Sequence, residues 1–384
     1  MAGTRLHAPQ AQAVTFVELF FDLVFVFAVT EVTALTAHHL DPAGVARSGV
    51  LFWLIWWAWT QFTWTLSPAD TRHPRVQALT LVASGVAFIM AASVTGAFGD
   101  QALWFAIPYV IIRSIGIGLQ VRIDQERAGE GVGIAMAWVY LSLVGLVVVL
   151  VGAVAPAGAR PWIWLGAIAV DLAAAGASSR NAVWDLSPAH FSERHGLFVI
   201  IALGESLIVA GSAVSDEART ADLVLAAGAA LVVACLLWWT YFGWLKEAVE
   251  HGFAGVAPEQ LGPTARDAYS LAHFPLIGGI IGFAAAVEEI VLHPDEPAAG
   301  PVIAALAIGI LLFVGSSAFA LWRTTGEVLR GRLVIVGVTV AAMALVASAA
   351  PVWPLAAVAV GLAAIVATEH GRERNEPVDA LDVG

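Results

Sequence analysis

The chain has 384 residues, of which 59% are hydrophobic and 12% charged, with a mean hydropathy of +0.83. Soluble domains carry about 25% charged residues, so a chain this apolar is excluded from that class. The formal net charge of −12 lies in short loops and tails and identifies no partner, and a single cysteine, Cys235, excludes an intrachain disulfide.

Runs of about 20 apolar residues, the length a helix needs to cross hydrocarbon, recur along nearly the whole chain. In chain order they predict spans near 14–38, 47–66, 75–97, 102–122, 132–154 and 161–179, then 193–214, 221–245, 267–291, 300–321, 333–350 and 353–369. Turn-forming pairs such as Asp41-Pro42, Ser67-Pro68, Gly99-Asp100 and Ser187-Pro188 separate them. The expected fold class is therefore an all-α polytopic membrane protein of about twelve transmembrane helices. The first span contains Glu18, Asp22 and Glu31, which argues against a cleavable signal peptide.

Lysine and arginine set the orientation. Arg47, Arg160 and Arg219 fall on one side, Arg113 falls inside a span, and the remaining basic residues fall on the side of the N-terminus. Both termini are expected in the cytoplasm. Trp53, Trp56, Trp57, Trp59, Trp64, Trp238, Trp239 and Trp244 crowd the second and eighth spans, where the simplest role is interfacial anchoring.

The halves resemble each other. Span one reads Asp22-Leu-Val-Phe-Val-Phe-Ala-Val-Thr-Glu31 and span seven Gly196-Leu-Phe-Val-Ile-Ile-Ala-Leu-Gly-Glu205; span two ends Trp59-Thr-Gln-Phe-Thr-Trp64 and span eight Trp239-Thr-Tyr-Phe-Gly-Trp244. With an even number of spans each, the halves form two parallel six-helix repeats related by an axis along the membrane normal, as in many transporters. The expected division is a tail at 1–13, a repeat at 14–180, a linker at 181–192, a repeat at 193–370 and a tail at 371–384.

Ionisable groups inside spans mark functional sites by default. Glu18 and Asp22 share one face of the first span, and Glu31 lies about half a turn round, so that helix is expected at the centre of the bundle. Glu31 and Glu205 hold equivalent places and are expected to line an ion or solute path with Glu18, Asp22 and Ser206. Glu193, Arg194 and His195 would form its cytoplasmic mouth. The competing role for each acid is a polar contact between helices. Arg113 and Asp171 are expected to form a buried ion pair, with an anion site at Arg113 as the alternative. Glu289 and His293, four apart at the end of the ninth span near His38 and His39 in depth, have a metal-compatible spacing, although solvated helix ends look the same. No metalloprotease, nucleophile-elbow or phosphate-loop motif occurs, so nothing supports enzyme chemistry. No cofactor, metal or nucleic acid is expected; the expected partners are membrane lipids and an ion or small solute.

The string Val17-Glu18-Leu-Phe-Phe-Asp22-Leu-Val-Phe-Val-Phe-Ala28 resembles the bacterial low temperature requirement protein A (LtrA) family. So does Phe191-Ser-Glu-Arg-His-Gly-Leu-Phe-Val-Ile-Ile-Ala-Leu-Gly-Glu-Ser206. The resemblance covers about residues 14–370 and implies a multi-pass inner-membrane protein linked to growth in the cold. More remotely, Phe21-Asp22-Leu-Val-Phe resembles the Phe-Ser-Asp signature of endolysosomal and bacterial potassium channels, with Phe21 in place of the serine. The leading expectation is a transporter of an ion or small polar solute, with proton coupling through the carboxylates. A cation channel is one alternative. The other is a membrane-embedded enzyme or lipid-handling protein, with Glu18, Asp22, Glu193, Arg194 and His195 at the cytoplasmic face.

Overall fold

The computed structural model describes residues 5–8, 12–128, 136–181, 184–216 and 220–375, and these are helical and connecting segments without a β-sheet. The helices are α1 (Phe16–His38), α2 (Pro42–Leu66), α3 (Pro74–Ala91), α4 (Ala102–Ala128), α5 (Met136–Val154), α6 (Arg160–Asn181) and α7 (Pro188–Asp216). They continue with α8 (Ala221–Phe242), α9 (Leu245–Ala254), α10 (Pro258–Ala265), α11 (His273–Leu292), α12 (Gly300–Thr325), α13 (Arg330–Leu345) and α14 (Val352–Asn375), and a π-turn (Arg266–Leu271) leads into α11. Each expected span falls on a helix. The short α9 and α10 lie where only a connecting loop was expected, and the π-turn occupies the start of the expected ninth span. Arg219 and the outer parts of both expected tails lie outside the described residues.

Nine helical segments of the described chain are long and apolar enough to cross a membrane. The helices α2, α6 and α13 are not among them. The 16 residues of α13, at a rise of about 1.5 Å each, fall short of a hydrocarbon core about 30 Å thick. Arg47 and the threonines, glutamine and tryptophans of α2 lower its hydropathy.

The chain divides into two compact units. Unit one comprises Met1–Leu35, Ala46–Arg194 and Ala257–Arg266; unit two comprises Thr36–Val45, His195–Val256 and Asp267–Gly384.

In unit one, α3 packs on α4, α4 on α5 and α5 on α6. The most enclosed helix is α2, whose residues 50–63 are all buried. In contrast, α1 presents a stripe of Phe16 (91% exposed), Phe20 (50%) and Leu23 (59%), spaced as one helical face. Within unit one, the start of α1 therefore keeps one apolar face open, while α2 is enclosed. An apolar stripe open to the surroundings suits lipid, whereas a polar-flecked helix is tolerated when protein surrounds it. Arg160 locks the far ends of these helices. Its Nε donates to Gly152 O (3.2 Å), Nη1 to Ala97 O (3.3 Å) and Gly99 O (2.8 Å), and Nη2 to Ala153 O (3.3 Å) and Ala155 O (3.2 Å). All five guanidinium N–H groups are used, three of them on the final turn of α5 and the residue just beyond it, where helical carbonyls lack partners.

Unit two is built around α11 and α12, with α12 against α13, α13 against α14, α8 against α14 and α9 against α12. A Cβ placed on Gly309 would come within 2.7 Å of Gly279 O, so this crossing exists because both residues lack side chains. At its end α12 is stopped by Gly326, whose φ of 79° closes the helix in the left-handed region. Arg332 on α13 ties the unit together. Its Nε lies 2.9 Å from Glu369 Oε1, Nη1 donates to Ser317 Oγ at 2.8 Å, and Nη2 donates to Thr240 O at 2.5 Å.

Candidate functional site

The first turn of α1 is capped by its own side chains. Glu18 Oε2 accepts from Thr15 N at 2.9 Å and Thr15 Oγ1 at 2.8 Å, half of a capping box that fixes where the helix begins. This leaves Glu18 Oε1 turned the other way, towards α7. There His190 Nε2 lies 3.0 Å and Arg194 Nη1 3.6 Å from it. One turn further along α1, Asp22 Oδ1 accepts from Arg194 Nη2 and, at 2.7 Å, from Trp59 Nε1 on α2. The Arg194 guanidinium also lies over the Trp59 ring, 5.6 Å from its centroid. Glu18, Asp22 and Arg194 are 0% exposed and His190 2%. Asp22 Oδ2 accepts no hydrogen bond among the described residues. All of these groups belong to unit one, because α7 contributes residues 188–194 to it.

Two carboxylates, a guanidinium and an imidazole are thus sealed among apolar helices. Glu18 and Asp22 face no solvent, and Arg194 and His190 of α7 stand against them. Glu193 is the exposed member of its segment, with Oε2 accepting from Val14 N at 3.4 Å. His195 belongs to unit two, where its buried ring lies 5.1 Å from Tyr269 and 5.2 Å from His273.

A second buried charge pair lies deeper in unit one. Arg113 Nη2 on α4 is 3.4 Å from Asp171 Oδ1 on α6, with the side chains 1% and 4% exposed. Arg113 Nη1 donates to Tyr109 Oη at 3.2 Å, and the indoles of Trp53 and Trp57 stand beside Asp171. Among the tryptophans of α2, Trp59 thus donates to a buried acid, and Trp53 and Trp57 stand beside another. Their expected role as interfacial anchors is corrected for α2. On α8, Trp238 and Trp239 are exposed, as an anchor requires, while Trp244 is buried beside the start of α9.

Glu31 is half-buried in unit one, and Glu205 and Ser206 are buried in unit two. Within unit two, Glu288 lies in the electrostatic field of His38, Glu289 and Glu205. Glu289 and His293 line a cleft of about 90 Å³ with Glu296, Val302 and Pro351. Among the described residues no three His, Cys, Asp or Glu side chains are grouped to hold a metal ion. A further buried array surrounds the π-turn. His273 Nδ1 is 3.1 Å from Ala268 O, an acceptor, so Nδ1 carries the proton and Nε2 accepts from Tyr241 Oη at 2.7 Å.

Sequence reasoning missed His190 because it placed the seventh span's start at 193, about one and a half turns after Pro188, where α7 begins. The signal was present: Pro188 is a natural first-turn residue, and His190 and Arg194 are four apart on one face.

The paired acids of α1 and Arg194 of α7 lie in the two strings that resemble LtrA proteins, and His190 immediately precedes the second. A family model described as bacterial low temperature requirement A protein (LtrA) matches residues 13–367. The chain belongs to the LtrA family. It is also 26% identical over 292 residues to an uncharacterized protein of Rhizobium meliloti (strain 1021), covering 73% of this chain and 70% of that one. No solved structure matches it. This LtrA protein is a multi-pass membrane protein, its many apolar helices and its family agreeing on that point.

Proposed function

We propose that this LtrA protein transports an ion or small polar solute, with α1 and α7 bordering the path and the Glu18–Asp22–His190–Arg194 cluster closing its cytoplasmic end. The observation that carries this reading is the cluster itself. Four ionisable groups with almost no exposure, at the starts of two membrane helices, are expensive to bury and are retained where charge must be handled. Both termini are cytoplasmic in this reading, and Glu31, Glu205 and Ser206 line the continuation of the path. In this reading the six-helix repeats at 14–180 and 193–370 supply the parallel pseudo-symmetry common among transporters. The burial of Glu18 and Asp22 leaves them no open face for a lipid headgroup, which favours transport over lipid chemistry at this surface.

The path can be tested by thiol accessibility. In a Cys235→Ser background, Thr30→Cys on α1 and Ser206→Cys on α7 are treated in membranes with a charged, impermeant thiol reagent. Val147→Cys, on the exposed apolar face of α5, serves as the lipid-facing control. Labelling of Thr30→Cys and Ser206→Cys with an inert Val147→Cys is the expected pattern. Inert cysteines at all three sites would remove the wet path along α1 and α7.

A further inference from the structure

We propose that the sealed cluster in unit one binds one exchangeable proton, held between Glu18 Oε1 and His190 Nε2. Charge counting leads there. The Asp22 carboxylate and the Arg194 guanidinium neutralise each other through direct contact. Glu18 then contributes one negative charge that nothing else in the cluster cancels, because its other contacts are Thr15 and the more distant face of Arg194. Leaving a net charge in a site with no solvent exposure is unfavourable even after relaxation, as for any buried ion. One proton removes that cost. It can reside on the imidazole, making an ion pair with Glu18, or on the carboxyl, making a neutral hydrogen bond to the imidazole. The 3.0 Å separation puts the two atoms within reach of each other, and since neither has another hydrogen-bond partner among the described residues, a small rotation of either side chain lets them share the proton.

The ionisable groups facing the pair are Asp22 on its own helix and Arg194 on α7; the neighbours on the other packed segments are the Trp59 indole of α2 and the Thr15 hydroxyl. A metal cation is disfavoured at this position by Arg194, whose charged Nη1 lies 3.6 Å from Glu18 Oε1. Binding adds one proton from water to the pair and release returns it, with only an N–H or O–H bond made or broken. This deepens the transport reading and its role rests on it: the proton is the coupling ion, and separation of the starts of α1 and α7 would let water reach the pair and take the proton away.

The test is magnetic resonance on the full chain in lipid nanodiscs at pH 7, with ring-nitrogen-labelled histidine and carboxyl-carbon-labelled glutamate. The His190→Asn and Glu18→Gln variants assign the two signals. The expected result in the unmodified protein is one proton on the pair, seen as a doubly protonated His190 or as a protonated Glu18. In Glu18→Gln, His190 is expected to become singly protonated; in His190→Asn, Glu18 is expected to carry the proton as a neutral acid. A neutral His190 beside an ionised Glu18 in the unmodified protein would overturn the proposal. So would a His190 that stays charged in Glu18→Gln, or an ionised Glu18 in His190→Asn. The readout is independent of flux. A protonated pair in a protein that passes nothing would remove the transport reading and leave the site, and flux with an unprotonated pair would do the reverse.

Discussion

Arg194 touches both acids of α1 and lies over Trp59, so it is the residue on which the cluster depends. Removing one partner of a buried ion pair strands the other charge, at a cost of about 3–5 kcal/mol. Asp22→Asn and Arg194→Gln are each expected to destabilise the protein by that order in thermal unfolding of the purified protein in detergent. The double variant should lose less than the sum of the singles by roughly 1 kcal/mol or more, because the two groups interact directly. Strict additivity would show that the pair is not coupled. Arg160 gives a second test at this scale. Its five N–H groups meet five carbonyls in a fixed fork, which a lysine with its single nitrogen cannot reproduce. Arg160→Ala should cost on the order of 3 kcal/mol, within the range for breaking a buried network, and Arg160→Lys should recover little of it. A fully stable Arg160→Lys protein would contradict this role.

Helix positions were the most legible part of the sequence, because a run of apolar residues long enough to cross hydrocarbon has few other uses. What each helix faces was less legible. The composition of α2 reads as an aromatic anchor, and only its neighbours reveal that the indole N–H groups of Trp53, Trp57 and Trp59 stand beside acids on α6 and α1. Likewise α1, polar on two faces, reads as central, yet Phe16, Phe20 and Leu23 lie open. The site was half legible. Glu18, Asp22 and Arg194 stand out as charges among apolar residues, whereas His190 fell before the assumed start of its helix. The amphipathic α9 and the proline-started α10 were hidden because short helices carry too few residues to show a period. Close packing has a clearer mark, since α11 and α12 meet at Gly279 and Gly309. Gly309→Val should force the helices apart and cost about 1–3 kcal/mol, as overpacking of a tight core does. Gly300→Ala, at the start of α12 with open space around it, should change stability by less than about 0.5 kcal/mol. Equal effects of the two substitutions in thermal unfolding would contradict the crossing.

At the scale of the whole molecule, unit one concentrates its charge in two buried clusters, at Asp22 and at Asp171. Unit two carries the Arg332–Glu369 staple and the His-Tyr array at the π-turn. The proposed repeat aligns Asp22 with Gly196, which has no charge to offer. A transporter with this division handles its coupling charge in unit one, and loss of that charge should disable the protein while the rest of the fold persists. The most direct measurement is flux in sealed liposomes of the purified protein, with pH- and potassium-sensitive dyes inside and Asp22→Asn, shown to be folded, alongside. The account predicts cation or proton flux in the unmodified protein, reduced at least about tenfold in Asp22→Asn, a change equivalent to about 1.4 kcal/mol on the barrier. Absence of flux under every gradient, or equal flux in both proteins, would contradict it.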